Sequence, residues 1–475
     1  METLSSHYFG SRDREGLLAF LDYCREKSKS TGTPRIASIS LRVKDLDPLA
    51  VLQSIQEPTE PHLYLERRAV SVSGAESVAI LNSTGPERFE AVREFVETWT
   101  SRIIATGDLD GWFSGPLFFQ AFAFSAENVP SATVFLPKWQ ICRTEQECIA
   151  VANVRVEAET RIEPEAERIL RAHGAFSNPA SFGSTAAPGL GELSVRREDP
   201  DDYRGRVVRA LEAIGEGRVE KVVLSRWMEL IAQRDFRPLE TLRGLREAYP
   251  DCFAFSYSRG EGASWIGATP ERLMHLSGGR FETEALAGSA PRGGSLAADT
   301  ACGHELLSSD KDLREHRYVV DAIVGALEGL GLRPEVAQNP HLLRLSNVQH
   351  LRTPISGSLT PDLSLGDLTA RLHPTPAVGG VPREAAVDLI QEIEPFHRGL
   401  YTGFLGWEKP GGDGEAVVAL RTARMQGKTA RLFAGGGIVE GSDPDQELRE
   451  TEFKLRAMAN ALGAKLEKGD PQQTV

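Results

Sequence analysis

The segment from Gly435 to Leu455 reads GGGIVEGSDPDQELRETEFKL and joins a run of glycines to a charged helix. The tripeptide Ser-Asp-Pro starting at Ser442 predicts the helix start, because Ser and Asp cap helix N-termini and Pro is tolerated in the first turn. The helix would then carry Glu447, Glu450 and Lys454 near one face, since they are spaced i, i+3 and i+7.

Two carboxylates one turn apart repel each other unless a cation lies between them. Mg²⁺ accepts such oxygen ligands and leaves coordination positions for water and substrate. Backbone N–H groups of a glycine-rich turn before a helix also suit an anion. The segment therefore indicates a candidate substrate site. The alternative, a hairpin followed by a solvated charged helix, is favoured when this segment is taken alone.

The composition excludes some classes of function. The 475 residues include 54 basic and 67 acidic side chains, for a net charge of −13. This balance argues against non-specific binding to nucleic acid or to an anionic membrane surface. The acidic surface, with no obvious exposed apolar helix, favours a monomer.

Cysteine content and the N-terminus bear on the compartment. The five cysteines form no CxxC pair and are odd in number, so we expect no disulfide framework and a reducing, cytoplasmic location. The N-terminus has no basic region followed by an apolar run, so we expect no secretion signal. No apolar stretch is long enough to span a membrane.

The order of elements predicts an α+β fold, a single large domain over residues 1–475 with mostly antiparallel β-sheets packed between helices. Residues 1–195 carry few signals, and 177–193 are rich in Ser, Ala, Pro and Gly, which predicts a loop or linker. Predicted helices cover 87–100, 163–173, 202–215, 239–248, 310–330 and 383–394. Predicted strands cover 118–124, 133–142, 148–156, 221–231, 253–258, 265–268, 401–407 and segments of 417–436, with a hairpin over 273–286.

Two further carboxylates, Asp312 and Glu315, lie at i and i+3 on the predicted helix over 310–330. An exposed helix face explains either carboxylate pair by itself. Two helices that each offer a pair make a shared Mg²⁺ site plausible.

Lys221 and Glu271 are candidates for proton transfer. Lys221 opens the apolar strand KVVLSR, where a buried lysine must pair, snorkel or lose its proton, and a neutral lysine can act as a general base. Glu271 follows a strand in GATPERL, and burial would make it a general acid. From these stretches alone, a solvated strand-edge lysine and a glutamate paired with Arg272 are the more common outcomes.

Two more polar residues stand near apolar runs. Arg421, at the end of a run in VALRTAR, could hold a carboxylate in a bidentate pair or form a structural ion pair. His350 in NVQHL could bind substrate, although a lone histidine is more often structural.

Several motifs in order resemble those of the chorismate-utilising enzymes. They are KVVLSR, GATPERL, EALAGSAPRG, KDLREH, NVQHL, HPTPAVGGVP, GLYTGFLGW, VALRTAR and the opening segment. The resemblance covers about residues 200–460 and implies the fold of anthranilate and aminodeoxychorismate synthases, with 200–462 as the catalytic core part and 1–195 as a divergent part.

Three positions separate reactions within this family. Amino-transferring members have Gln where this chain has Lys221, and water-using members have Lys. Ala287 stands where the common aminodeoxychorismate synthases have a nucleophilic lysine. The stretch His373–Gly380, HPTPAVGG, is similar to isochorismate synthases, whereas salicylate and anthranilate synthases tend to read SGxPK at 379–383. Gly436 departs from the usual alanine, which we expect to loosen a turn at most.

The resemblance implies conversion of chorismate to isochorismate. Lys221 would activate water for attack at C2 and Glu271 would protonate the leaving C4 hydroxyl, with Mg²⁺ held by Glu315 and Glu450 and, through water, by Glu447. The implied substrate-binding residues are Gly288, Ser289, His350, Ala377, Tyr401, Arg421, Gly435 and Lys454, with Val378, Leu420 and Phe433 in the apolar wall. No redox cofactor is implied.

Other outcomes stay open. A salicylate synthase would add pyruvate elimination to the same water addition. Anthranilate synthase component I would need a glutamine amidotransferase partner, and Lys221 speaks against it. A non-catalytic relative would bind chorismate without turnover. The destination of isochorismate, whether menaquinone, a siderophore or salicylate, is not encoded in these motifs.

Overall fold

The computed structural model describes residues 1–4, 13–176, 189–346, 348–464 and 466. Within this part of the chain the helices are α1 Arg14–Thr31, α2 Pro48–Ile55, α3 Arg88–Thr100, α4 Ile162–Phe176, α5 Pro200–Gly215, α6 Pro238–Ala248, α7 Leu296–Ser308, α8 Asp310–Glu328, α9 Leu365–Leu372, α10 Arg383–Ile393 and α11 Pro444–Ala461. None of these helices is long and apolar enough to cross a membrane.

Strands outnumber helices in the same part of the chain. They are β1 Glu2–Thr3, β2 Arg35–Val43, β3 His62–Arg67, β4 Val70–Ser83, β5 Ile103–Gly107, β6 Phe118–Phe122, β7 Ala132–Arg143, β8 Cys148–Val156, β9 Leu193–Arg197, β10 Lys221–Ala232, β11 Phe253–Ser258, β12 Ser264–Thr269, β13 Arg272–Ser277, β14 Arg280–Pro291, β15 Glu335–Val336, β16 His341–Arg344, β17 Val348–Ser358, β18 Gly380–Val381, β19 Phe404–Glu408, β20 Gly414–Val418, β21 Thr422–Gln426 and β22 Thr429–Val439.

The strands hydrogen-bond in two runs that share β7. One run continues through β4, β3, β11, β12, β21, β22 and β10. The other continues through β6, β19, β20, β13, β14 and β17. Pairing is antiparallel apart from the parallel contacts of β5 with β1 and β2. Because β3 pairs with β11 and β6 with β19, the N-terminal strands share a sheet with the C-terminal ones.

The predicted start of α11 is confirmed. Asp443 is the N-cap, and its side chain accepts a hydrogen bond of 2.8 Å from the backbone N–H of Gln446. Pro444 occupies the first turn, where its missing N–H costs no hydrogen bond. The helix packs against β22 and β10, which directs the side chains of its first turns toward the strand ends.

Two local predictions are wrong. The glycines at 435–437 lie within β22, paired with Ser225 to Val223 of β10, and the turn follows Val439. They are glycines because neighbours approach closely: a Cβ on Gly437 would lie 2.3 Å from Oε1 of Glu315. The strand predicted to start at Tyr401 begins at Phe404, after a turn.

Several elements were not predicted, namely β2 to β5 and α2 in the N-terminal part and the helices α7 and α9 later in the chain. Of the predicted loop or linker over 177–193, residues 177–188 lie outside the described residues and β9 begins at Leu193. Predicted helices and strands after residue 200 lie within a few residues of their observed bounds.

Candidate active site

A cavity of about 210 Å³ opens where β10 and β22 of one run face β14 and β17 of the other, with α8 and α11 beside it. Eleven predicted site residues line it: Glu271, Gly288, Ser289, Glu315, His350, Ala377, Tyr401, Arg421, Gly435, Glu450 and Lys454. The predicted apolar wall of Val378, Leu420 and Phe433 lines it as well. Lys221 and Glu447 do not line the cavity, but Lys221 contacts the lining residue Glu315 and Glu447 contacts the lining residue Lys311.

Lys221 is fully buried at the first position of β10. Its ammonium nitrogen lies 2.9 Å from Oε1 of Glu315 on α8. The nitrogen is not aligned to donate a hydrogen bond, so this contact is an ion pair without a hydrogen bond. Gly437 permits the approach, because a Cβ there would lie 3.2 Å from Cε of Lys221. The solvated strand-edge lysine is therefore excluded.

Glu271 is buried at the end of the turn between β12 and β13. Burial, reinforced by the negative charge of Glu284, raises its pKa to about 8, although the positive charge of Lys221 opposes the shift. Arg272 pairs with Glu282 and Glu415 rather than with Glu271. At neutral pH this carboxyl group therefore holds a proton that it can donate.

Lysines pair with the carboxylates of α11. Lys311 of α8 donates to Glu447 at 3.0 Å, and Lys454 donates to Glu450 at 2.8 Å and to the backbone carbonyl of Gly435 at 2.9 Å. The exposed charged helix face is thus wrong for Glu447, of which only 1% is exposed. Each carboxylate has a cation within reach, which offsets the repulsion between neighbours one turn apart.

The two α11 carboxylates differ in pKa. Burial and the charge of Glu450 raise the pKa of Glu447, against the opposing charge of Lys311. Burial alone would raise the pKa of Glu450 too, but the charge and hydrogen bond of Lys454, with Lys311 and Lys221, lower it. Glu450 is therefore the carboxylate more readily available as an anion.

The donor chemistry of Glu315, Glu447 and Glu450 fits a hard divalent cation. Oε2 of Glu447 is buried and has no hydrogen-bond partner, so one carboxylate oxygen is left without a donor. Across the described residues, no three carboxylate, histidine or cysteine groups are arranged as a ready-made metal site. Each of the three carboxylates is paired with a lysine ammonium group, and a metal ion would have to displace these lysines.

Arg421, His350 and Ser289 form a hydrogen-bonded row along the cavity. Nη2 of Arg421 donates to Nε2 of His350 at 3.0 Å, and Nδ1 of His350 lies 2.9 Å from Oγ of Ser289. Burial and the charge of Arg421 hold the pKa of His350 well below its usual value. Because Arg421 only donates, neutral His350 carries its proton on Nδ1 and donates it to Ser289. The hydroxyl proton of Ser289 is then free for an acceptor in the cavity.

The backbone fixes Arg421 as well. Its φ of 48° lies in the left-handed region, which a non-glycine residue adopts only when its surroundings hold it there. Nη1 contacts Sγ of Cys252 at 3.7 Å, so the guanidinium is held at both ends.

An aromatic stack forms the apolar side of the cavity. The rings of Tyr401 and Phe433 are 5.2 Å apart and inclined by 13°, and the ring of Trp265 also stacks on Phe433 at 5.9 Å. The cavity therefore has one apolar and one charged wall, an arrangement suited to a small anionic ring compound.

Two contributors were missed in the sequence. Lys311 lines the cavity directly before Asp312, inside the motif KDLREH, but a lysine at a helix start gives no periodic signal. Glu284 on β14 acts through its charge on Glu271, a relation between strands that spacing does not reveal. Asp312 lines the cavity too, and burial together with the charge of Glu315 raises its pKa, against a hydrogen bond from Ser309.

Comparisons with known proteins identify the family of this chain. The chain matches the family described as chorismate binding enzyme over residues 20–463. It is 32% identical over 457 residues to isochorismate synthase MenF of Bacillus subtilis, covering 92% of this chain and 95% of that protein. It is 33% identical over 456 residues to the salicylate biosynthesis isochorismate synthase of Pseudomonas aeruginosa, covering 92% of each.

The fold comparison gives the same result. The solved structure of MenF, the menaquinone-specific isochorismate synthase from Escherichia coli, superposes with a TM-score of 0.75 at 25% identity, over 93% of this chain and 99% of that one. The α+β fold and the family predicted from the motifs are both confirmed. The chain belongs to the chorismate-binding enzyme family.

Proposed function

We propose that this protein is an isochorismate synthase, an isomerase that reversibly converts chorismate to isochorismate with Mg²⁺. The observation that carries the proposal is that a buried lysine, Lys221, and a buried carboxyl group, that of Glu271, lie near the same cavity. Lys221 is fully buried, and Glu271 has its pKa raised to about 8. The names of the relatives in Bacillus and Pseudomonas support the same reaction.

The reaction replaces one hydroxyl by another at a different ring carbon. Lys221 first gives up the proton that it holds in the ion pair with Glu315, and the neutral amine then accepts a proton from water while the water oxygen forms a bond to C2. The ring double bonds shift, and the C4–O bond breaks. Glu271 donates a proton to the departing hydroxyl, which leaves as water. A neutral amine at one end of the ring and a protonated carboxyl group at the other are needed, and we assign these roles to Lys221 and Glu271.

Substrate carboxylates need cationic or N–H partners in the cavity. We assign Arg421, Tyr401 and the backbone at Gly435 to the enolpyruvyl carboxylate, because guanidinium and hydroxyl groups there face an otherwise apolar wall.

Gly288 and Ser289 lie on the opposite strand, where Ser289 offers its hydroxyl proton. His350 acts through Ser289 and Arg421, and Lys454 orients Glu450 and Gly435. Ala377 belongs to the apolar wall.

Glu315 and Glu450 would hold Mg²⁺ directly, and Glu447 would hold it through water. When bound, the ion would neutralise these carboxylates and fix the ring carboxylate of chorismate. The unpartnered oxygen of Glu447 and the all-oxygen donor set support this assignment.

We also infer that residues 200–462 form the catalytic part and residues 1–195 a divergent supporting part of one domain. All cavity-lining residues fall between Val223 and Met458. The N-terminal strands contribute through the sheet, by pairing with β11 and β19.

The test is a product assay with purified protein, chorismate and Mg²⁺, with chromatographic separation and a separate assay for pyruvate. Isochorismate without pyruvate is the expected result, and it should disappear with EDTA. Salicylate with stoichiometric pyruvate would instead assign salicylate synthase activity to the same site. Turnover that required ammonia would contradict the role of Lys221.

A further inference from the structure

The edge of β10 beside the cavity is completed by side chains instead of a strand. Two β10 residues, Lys221 and Val222, pair with β18, and the stretch from Met228 onward pairs with β9. Between these contacts the edge of β10 faces the interior, where backbone groups without partners are costly.

A buried ion pair supplies two of the hydrogen bonds in this gap, where the N–H of Val223 also donates to the carbonyl of Gly379 and Arg206 donates to the carbonyl of Ser225. Glu394 follows α10 and pairs with Arg398 at 2.6 Å, with both side chains at most 2% exposed. Oε1 of Glu394 accepts a hydrogen bond of 2.7 Å from the backbone N–H of Ser225, and Nη2 of Arg398 donates one of 2.6 Å to the backbone carbonyl of Val223. These two side chains therefore provide the acceptor and the donor that a neighbouring strand would provide.

Arg398 also reaches two other wall segments. Nη1 donates to the backbone carbonyl of Val378 at 3.0 Å and to the hydroxyl of Thr402 at 3.3 Å, while Nε donates to Oε2 of Glu394 at 2.8 Å. With its bonds to Val223 and to Oε1 of Glu394, every N–H of the guanidinium has a partner.

The three segments that Arg398 joins all line the cavity. Val223 lies two residues after Lys221, Thr402 follows Tyr401, and Val378 follows Ala377. Neither Glu394 nor Arg398 lines the cavity, so the pair cannot touch the substrate directly. Its contacts fix the relative positions of the residues that do.

We propose that Glu394 and Arg398 are positioning residues that set the geometry of the active site by holding β10, the 375–378 turn and the 399–402 turn together. The role in turnover rests on the proposed function, whereas the role in fixing β10 does not. Lysine cannot replace Arg398, because an ammonium has three donors and no planar fork with which to reach all of these partners.

The experiment compares Arg398→Lys with Arg246→Lys. Arg246 makes a similar two-bond pair with Asp47, at 3.0 Å for each bond, and also contacts Glu66, but none of these residues lines the cavity. Both variants lose a fork while keeping the charge. Thermal unfolding, kcat and KM for chorismate, and hydrogen exchange at the amide of Ser225 are measured for each.

We expect kcat to fall at least about tenfold in Arg398→Lys and to stay within about twofold of wild type in Arg246→Lys, because misplacement of reacting groups by a fraction of an ångström is costly. The Ser225 amide should exchange faster in Arg398→Lys alone. Equal kcat and equal Ser225 exchange in the two variants would overturn the proposal.

A second variant covers a failure of Arg398→Lys to fold. Glu394→Gln keeps the shape of the side chain and one acceptor for Ser225. We expect this variant to fold and to lose less kcat than Arg398→Lys. Wild-type kcat together with wild-type exchange at Ser225 would overturn the proposal. If the wild type itself formed no isochorismate, the proposed function would fail, and exchange at Ser225 would still decide whether the pair fixes β10.

Discussion

The ammonium of Lys221 lies 2.9 Å from Oε1 of Glu315, with no exposed surface on the lysine side chain. The contact joins the first residue of β10 to the second turn of α8. A buried lysine that keeps its charge needs such a partner. Under the proposed function, Glu315 would contact two cations, Lys221 and a metal ion, beside the substrate.

The first prediction concerns Lys221→Ala. Removal of the general base should lower kcat by about a hundredfold or more while circular dichroism shows a folded protein. Lys428→Ala, at an exposed lysine far from the cavity, is the control and should leave kcat unchanged. Turnover near the wild-type rate in Lys221→Ala would remove Lys221 from the mechanism.

The second prediction concerns the pH dependence of turnover. Glu271 must be protonated to act as an acid, and its pKa is raised to about 8 by burial and by Glu284. Activity should therefore fall as pH rises through about 8, and Glu271→Gln should be inactive at every pH. A rate profile that stays level from pH 7 to well above 8, or an active Gln variant, would refute the assignment.

The third prediction concerns stability. The ordinary pKa of a glutamate is 4.5, so between that value and about 8 the unfolded chain loses the Glu271 proton while the folded protein keeps it. The stabilisation of the folded protein by the protonated carboxyl group is fully present below pH 4.5 and is lost as the pH rises to about 8. Glu271→Gln should weaken this decline in the thermal unfolding midpoint.

A matched control exists at Glu408 in β19. Burial and the charges of Asp367 and Glu97 raise its pKa to about 8 as well, but it does not line the cavity. Glu408→Gln should change the pH dependence of unfolding as Glu271→Gln does and keep turnover. Loss of turnover in both variants would mean that the effect at Glu271 reflects packing alone.

The fourth prediction concerns metal binding without turnover. MgCl₂ should raise the thermal unfolding midpoint of the wild type, because a ligand that binds only the folded state stabilises it. The rise should be absent in Glu315→Gln and Glu450→Gln. Asp321→Asn, at an exposed carboxylate of α8, is the control and should keep the full rise. Equal rises in all four proteins would exclude this site.

The fifth prediction concerns Arg421→Lys. Hydrogen bonds to a charged partner contribute about 1.5–3 kcal/mol, so loss of the fork should raise KM for chorismate about ten- to a hundredfold with a smaller change in kcat. Lysine and arginine are equally strained at a φ of 48°, so the substitution does not change the backbone strain at this position. Arg424→Lys, on an exposed position of β21, is the control; an unchanged KM at Arg421→Lys would contradict the substrate contact.

The sequence was most informative where a local pattern and a chemical motif coincide. The helix start at Asp443 and the carboxylates of α11 follow from capping and spacing, which are local properties. Lys221 was identified as a candidate, but its burial depends on α8 and β22, which lie far along the chain. From the sequence, only the family resemblance favoured a general base over a solvated lysine at this position, and the burial of Lys221 in the structure then excluded the solvated lysine.

Other parts of the site depend on contacts that spacing does not encode. Glu284 reaches Glu271 across β13 and β14, and Glu394 with Arg398 replaces a missing strand. Helix α7 was missed because it buries little beyond Leu306 and Gly303, so its apolar period is weak. The glycines of β22 resembled a turn, although close approach of Glu315 explains them.

The most direct measurement of the central claim is the origin of the new hydroxyl oxygen. Chorismate is incubated with the protein and Mg²⁺ in water enriched in ¹⁸O, and isochorismate formed at early times is analysed by mass spectrometry. If Lys221 activates water for attack at C2, each isochorismate molecule carries one solvent oxygen at C2. Isochorismate without solvent oxygen would mean that the C4 hydroxyl migrates within the molecule, and it would contradict the roles given to Lys221 and Glu271.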